Sequence, residues 1–598
     1  MTKNNDKMLP IDFTSREFTS IRNELMDVVE RYYPDNFQDW SEASFGSMML
    51  DAVAYVGDQL SFYLDYNVNE SFLDTSYSLS NIHRHGAVLG YKSSGRPSTY
   101  GEVALFVEIP ANSAGLGPDR SYIPILKRGT RFGSQAGLSF LLTENINFAA
   151  SSNPMIVSKV DDSTGAPTHY AVKSYGNVVS GRFGQKNVKV GSYEKFKTVS
   201  LNLPNLSEII SVIDAEGNEY YEVENLSQDI VYKEIPNENY KNDNVPSIIK
   251  PYLVSRKFVV TITNGNAVLQ FGSGDAASPE LIARPQKVAL DTFGKDYITD
   301  TTFDPTKLSK NINYGIVPTN TTLSIVYRET NPVSSNLSAL QLNKVSTAVF
   351  DFSAFPNLAS AKVTSVRDSL EVVNETPIIG DATYISPSET KQNILNTFPT
   401  QNRAVTQTDY ENIIYRMAAK FGSIQRCSVQ KDPDSLKRNL NAYVISEDLY
   451  GNLIKTNATI KNNLKTWLNQ YRMVNDTIDI LDPYIINLKI EFSISTLPGT
   501  DKDIAMDKSL TAIKRYFSNG FFIGEHVQVS DIYSTLKEVS EVLDVTRVVL
   551  YNAPGSQYSG ITFSVNKNMS PDGARLLCPK NAIFEIKYPE VDVKGKVV

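Results

Sequence analysis

The chain has 598 residues, 41% apolar residues and a formal net charge of −8, enough for about four domains of roughly 150 residues with sizeable cores. Its acidic and basic residues are interspersed, which argues against the basic patch of a nucleic-acid binder, and no apolar run approaches the ~20 residues that span a bilayer. The opening MTKNNDKMLPIDF has no apolar signal core and the two cysteines, Cys427 and Cys578, form no disulfide framework, so synthesis in a cytosol is expected.

Residues 1–95 read as helical. Thr14 and Glu17 have capping-box spacing, and Phe18, Ile21, Leu25, Val28, Val29 and Tyr32 follow at helical spacing until Pro34. A second helix spans about 45–67 with Phe45, Met49, Ala52, Val53, Val56, Leu60 and Leu64 as its stripe, and a third runs from about Ser78 to Leu89 before Gly90. An apolar stripe does not name its mate: these helices could pack on their own body or in a bundle with partner helices.

From 96 to 330 Gly and Pro punctuate short apolar runs, giving a mostly-β region, expected as two subdomains. The runs 103–109, 121–134 and 321–330 read as strands, and 258–272 as a hairpin turning at Asn264-Gly265. The Ser-, Gly- and Asn-rich stretch 150–195 reads as loop or insertion. Residues 331–385 read as a linker or hinge. Beyond it lie two α+β domains, 386–500 and 501–598. The first opens on Ser386-Pro387-Ser388-Glu389, a helix start with Pro at its first position. Residues 457–472, 503–518 and 531–541 are further helices, and 545–551 a further strand. In 486–495, Ile486, Leu488, Ile490, Phe492 and Ile494 alternate with polar residues, which predicts an antiparallel sheet covered on one side. The fold class is therefore α+β multidomain: an N-terminal helical segment, a central mostly-β region and C-terminal α+β domains with antiparallel sheets.

Catalytic patterns are absent from this reading. There is no phosphate loop, His-Glu-x-x-His or Gly-x-Ser-x-Gly. Gly272-Ser-Gly274-Asp275 follows a strand, but Pro279 and Pro285 break the helix a dinucleotide site needs. His83 and His85 are two apart and point to different faces of a helix; His169 and His526 stand alone. No cofactor, metal or catalytic residue is expected, and the chain is not expected to be an enzyme.

The most specific stretch is Arg403 to Val429. Thr406 and Asp409 form a capping box, Tyr410, Ile413, Ile414, Met417 and Ala418 recur at helical spacing, Gly422 ends the helix, and Ile424 to Val429 continues as a strand. The run Arg403, Val405, Thr406, Asp409, Tyr410, Glu411 followed by Gly422 resembles the signature of the baseplate J-like family, wedge proteins of contractile phage tails. Residues 40–91 resemble its N-terminal helices through Gly46, Asp51, Ala54, Leu60, Tyr63, Asp65 and Glu70. Phe271-Gly272-x-Gly274-Asp275 and Gly524-x-x-Val527-x-x-Ser530 resemble two of its later motifs. Residues 150–250 match nothing in the pattern, and Asp544 stands where the family has Gly. Within the family the length and opening helices look most like the wedge proteins of T-even-type phages.

The resemblance implies a structural virion protein of the tail baseplate, present with a second copy of itself in each wedge. Its implied partners are other wedge proteins, neighbouring wedges, and the central hub and sheath-initiating components. It also implies a ring that rearranges on contraction, with Phe18, Ile21, Leu25, Val28, Val29, Phe45, Met49, Val53, Val56 and Leu60 as the bundle interface. The alternative is a tail-associated glycan-binding or glycan-hydrolysing protein, because Tyr- and Asn-rich β surfaces also suit sugars.

Overall fold

The computed structural model describes residues 16–33, 44–92, 95–112, 117–236, 247–263, 266–275, 314–331, 333–353, 355, 358–382, 386–433 and 439–598. Thr14, Pro34, the Asn264-Gly265 turn, Pro279 and Pro285 lie outside them. The chain forms two compact units, one of residues 1–91 with 386–395, the other of 92–385 with 396–598.

The first unit is helical. Helix α1 spans Phe18–Tyr32, α2 spans Phe45–Glu70 and α3 spans Leu79–Val88. Glu17 caps α1, and its backbone N–H donates to Ser20 Oγ at 3.2 Å. Ser44 caps α2 by accepting from Ser47 N. Gly90 has φ +87°, the left-handed residue that follows many helix ends. Helices α1 and α2 are antiparallel neighbours: Arg16 Nη1 meets Asp65 Oδ1 at 2.9 Å, while Arg22 pairs with Asp51 and reaches Ser47 Oγ at 3.2 Å. The helix Pro387–Thr400 starts in this unit, where Ser386 Oγ accepts from Glu389 N at 3.2 Å.

Among the described residues, the larger unit holds four hydrophobic cores. A first seven-stranded sheet has the order Leu342–Thr347, Arg131–Ser134, Ser139–Leu142, Pro167–Ser180, Tyr100–Pro110, Glu371–Val373, with Met155–Val160 attached to Pro167–Ser180. A second has the order Arg182–Val190, Thr321–Glu329, Leu206–Ile213, Glu219–Glu222, Lys257–Thr263, Asn266–Phe271, Thr198–Ser200. Two expectations change here. The stretch 150–195, read as loop, supplies three strands. Residues 331–385, read as a linker, are woven into the first sheet: Val345 pairs with Phe132, Val372 with Leu105, and the helix Ser360–Asp368 buries Val366 in the same core. Segments held by these ladder hydrogen bonds do not act as a free joint.

A third core forms around Tyr410, Ile413, Ile414, Val429, Val444, Ile460 and Leu464. The last one draws together Ile486 to Ile494 with Ile513, Ile532, Leu550 and Phe584. Strand Tyr484–Thr496 thus belongs with the C-terminal residues. It is central in its sheet, antiparallel to Val542–Asn552 as its alternation predicts, and parallel on its other edge to Ala582–Glu585 and Val593–Val597. The architecture is helical at the N-terminus, β-rich in the middle and mixed α+β with antiparallel pairing toward the C-terminus.

Candidate interaction surface of the N-terminal helices

Helix α2 is about 39 Å long at ~1.5 Å per residue. Its α1-facing side is mostly small or polar, with the half-buried Leu50 on the same line. Ala54 is fully buried there, Ser47 is 4% exposed, and a Cβ at Gly57 would lie 3.3 Å from Ile21 Cγ2. Small residues let the two backbones approach closely, and Ser61 continues the same line. The large apolar residues lie on the remaining circumference. Phe45, Met49, Val53, Val56 and Leu60 are 73%, 50%, 52%, 56% and 58% exposed. At ~100° per residue, exposed apolar positions cover roughly two-thirds of the helix surface. Such a helix is normally buried in a protein interior.

Of the residues named from the sequence on α1, Phe18 is exposed and Ile21, Leu25, Val28 and Val29 are half-buried; α1 has no fully buried residue. All ten named residues therefore keep some or most of their surface accessible. Met48, Tyr55, Phe62, Tyr63, Val68 and Phe72, outside the stripe read from the sequence, are exposed as well. Their signal was present: apolar residues recur in α2 at spacings too dense for one stripe.

The turn from α2 to α3 is organised by Glu70. Its carboxylate accepts from Tyr77 N at 2.8 Å, Ser78 N at 3.1 Å and Asn81 Nδ2 at 2.8 Å, and its carbonyl oxygen lies 2.9 Å from His85 Nε2. The Asn81 amide, then the two backbone donors, hold this carboxyl below the ordinary glutamate value. His83 stacks on Tyr91 with centroids 6.4 Å apart, and burial lowers its pKa. The two histidines thus have separate local roles.

The signature stretch is partly buried, with Tyr410 and Gly422 inside and Arg403, Val405 and Thr406 at the surface. Thr406 caps the helix Gln407–Tyr415, with Thr406 Oγ1 accepting from Asp409 N at 3.2 Å and Asp409 Oδ2 from Thr406 N at 2.8 Å. Tyr410 is 1% exposed and donates to Asp476 Oδ2 at 2.8 Å. Glu411 Oε1 accepts from Val429 N at 2.9 Å, tying helix to strand, and burial pushes its pKa up. The helix stops at Tyr415, earlier than the spacing predicts. A short 3-10 turn, Ala419–Phe421, follows and Gly422 closes that turn at φ +99°. Arg403 and Val405 are exposed.

Among the described residues, no group of three or more His, Cys, Asp or Glu side chains could hold a metal ion, and no helix is long and apolar enough to cross a membrane. Both cysteines are free and buried, and burial pushes the Cys578 thiol up to about 12 and that of Cys427 higher still. Thiols held protonated are poor nucleophiles. Gly272 and Gly274 pack against the backbone of Tyr314 to Val317, where Gly274 N donates to Gly315 O at 2.9 Å.

Residues 17–88, which contain all three helices, match the family model described as the bacteriophage baseplate protein, N-terminal domain. Solved structures of baseplate assemblies are similar to the chain at low level, two of them as follows. One is the anti-feeding prophage baseplate, 10% identical, covering 94% of this chain and 90% of that one, with a TM-score of 0.26. The other is the type VI secretion system TssK-TssF-TssG baseplate subcomplex, 7% identical, covering 73% of this chain and 95% of that one, with a TM-score of 0.23. No curated protein matches the chain. The similarity to phage baseplate proteins thus falls on the helical segment whose apolar side chains stand exposed.

Proposed function

We propose that this chain is a structural wedge subunit of a contractile phage tail baseplate. Its N-terminal helices enter a bundle with a second copy and with other wedge proteins, and its β and α+β parts serve as struts toward neighbouring wedges and the hub. The ring it helps form rearranges when the tail contracts. The observation that carries this reading is the apolar face of α2: large side chains more than half exposed along a helix whose own partner covers only the small-residue side. Contiguous exposed apolar faces of that kind mark surfaces where another protein docks. The match of residues 17–88 to a phage baseplate N-terminal domain supports the same reading.

The test is co-expression of the chain with its neighbouring tail proteins, followed by electron microscopy. The full chain is expected to form wedges, and a chain lacking residues 1–91 to remain folded and unassembled. Normal wedges from the truncated chain would remove the bundle role. Lysis of host cell wall by the purified chain in a zymogram would overturn the structural reading.

A further inference from the structure

The larger unit contains an open cleft of ≈ 1330 Å³. Its walls are the first sheet, the second sheet and the segment from Ile454 to Asn463. The floor is held rigidly. Arg328, 2% exposed, donates to Glu208 Oε2 at 3.0 Å, to Ser98 Oγ at 2.9 Å and to Ser180 O at 2.9 Å. Phe183, Arg328 and Glu208 lie in one cross-strand row.

Three features of the cleft point to a ligand. Phe183 and Ile210 line it and are each 46% exposed. A register shift between Ile209 and Ser211 falls at Ile210, and bulges of this kind re-aim a side chain beside binding sites. Arg128 and Lys455 line it as exposed cations, and neither has a side-chain partner among the described residues. Glu208 is neutralised by Arg328, which leaves Glu102 as the one unpaired anion of the lining against two cations. The volume exceeds the roughly 300–1,000 Å³ of small-molecule pockets, and half-exposed apolar side chains suit a polypeptide better than a sugar acid.

We propose that this cleft docks an extended segment of another protein, with one apolar side chain seated against Phe183 and Ile210 and acidic residues beside it held by Arg128 and Lys455. Peptide main-chain groups would meet the exposed amide of Asn462 on the opposite wall. The inference stands on the cleft alone and does not require the baseplate reading.

Panning a random dodecapeptide display library on the full chain tests it. An Arg128→Glu/Lys455→Glu double variant and an Ile210→Ser variant serve as comparison targets, and thermal melts verify that each keeps the parental fold. Enriched peptides are expected to carry an apolar residue next to Asp or Glu, to compete with one another, and to bind the charge-reversed variant at least about tenfold more weakly. Ile210→Ser is expected to weaken the same peptides. Absence of enrichment, or equal binding to parent and variants, would overturn the proposal. So would retention of oligosaccharides on a glycan array that the same substitutions abolish, since that result gives the cleft to sugar.

Discussion

In strand Tyr484–Thr496 the residues Ile486, Leu488, Ile490, Phe492 and Ile494 are all at most 2% exposed, whereas on α2 Val53, Val56 and Leu60 keep more than half their surface in water. The strand alternates strictly and finds its cover within its own sheet and the helices Lys502–Tyr516 and Val529–Lys537. The helix is apolar around most of its circumference and is covered by α1 only where its residues are mostly small or polar. Similar side chains thus stabilise the folded chain in one place and remain largely uncovered in the other. Buried apolar area contributes about 25 cal/mol per Å² only once it leaves water, and on α2 in the single chain most of that area stays in water.

Truncation on each surface breaks or upholds this contrast. Phe492→Ala should cost about 3–5 kcal/mol of stability in urea denaturation of the isolated chain, as large-to-small changes in cores do. Leu60→Ala should change the same midpoint by less than about 0.5 kcal/mol, yet weaken co-assembly with neighbouring tail proteins. A Leu60 variant as destabilised as the Phe492 variant would mean that the chain covers α2 by itself. Next in size is Gly422→Ala. At φ +99° a side chain is strained, and the added Cβ would sit 3.1 Å from the Ser98 carbonyl oxygen. The expected cost is about 1–3 kcal/mol, read as a lower midpoint with an unchanged transition slope.

The same contrast explains which parts were legible in the sequence. Capped helices with large apolar residues announced themselves: α1 ends at Tyr32 as expected, and α2 begins at Phe45. The hairpin of Lys257–Thr263 and Asn266–Phe271 was equally plain, because both strands alternate. Strand Pro167–Ser180 was missed for a physical reason. Its inward positions are Val172, Ser174, Gly176 and Val178, and a Cβ at Gly176 would already meet Ile146 and Leu142 at 3.0 Å. Where the interior has room only for small residues, the period-two pattern disappears. Strand Arg182–Val190 was hidden differently. It lies at a sheet edge and carries Arg182, Lys186 and Lys189, charges that protect edges from unwanted pairing. Residues 331–385 gave short strands whose partners lie more than 200 residues away, which no local pattern encodes. The early stop at Tyr415 escaped because Met417 and Ala418 keep helical spacing in the sequence although they lie between the helix and the 3-10 turn Ala419–Phe421.

Smaller effects sharpen the picture within the two units. Thr406→Ala removes one half of a reciprocal cap and should cost about 1 kcal/mol, with Thr406→Ser restoring most of it. The smallest effect is local and depends on pH. Glu70 holds the amides of Tyr77 and Ser78, and its carboxyl is depressed below 4.5 by the Asn81 amide first and these backbone donors second. A group with a depressed folded-state pKa stabilises fully above its unfolded value and loses that contribution as pH falls through the folded one. Protection of the Tyr77 and Ser78 amides against hydrogen exchange should therefore be constant above pH 4.5 and decline below it. In Glu70→Gln, which cannot ionise, the same amides should be less protected at neutral pH and show no such decline. Because α3 follows directly from this turn, acid should loosen α3 while the Tyr484–Thr496 core keeps its protection. Loss of protection at both places together would mean that the turn has no separate stability.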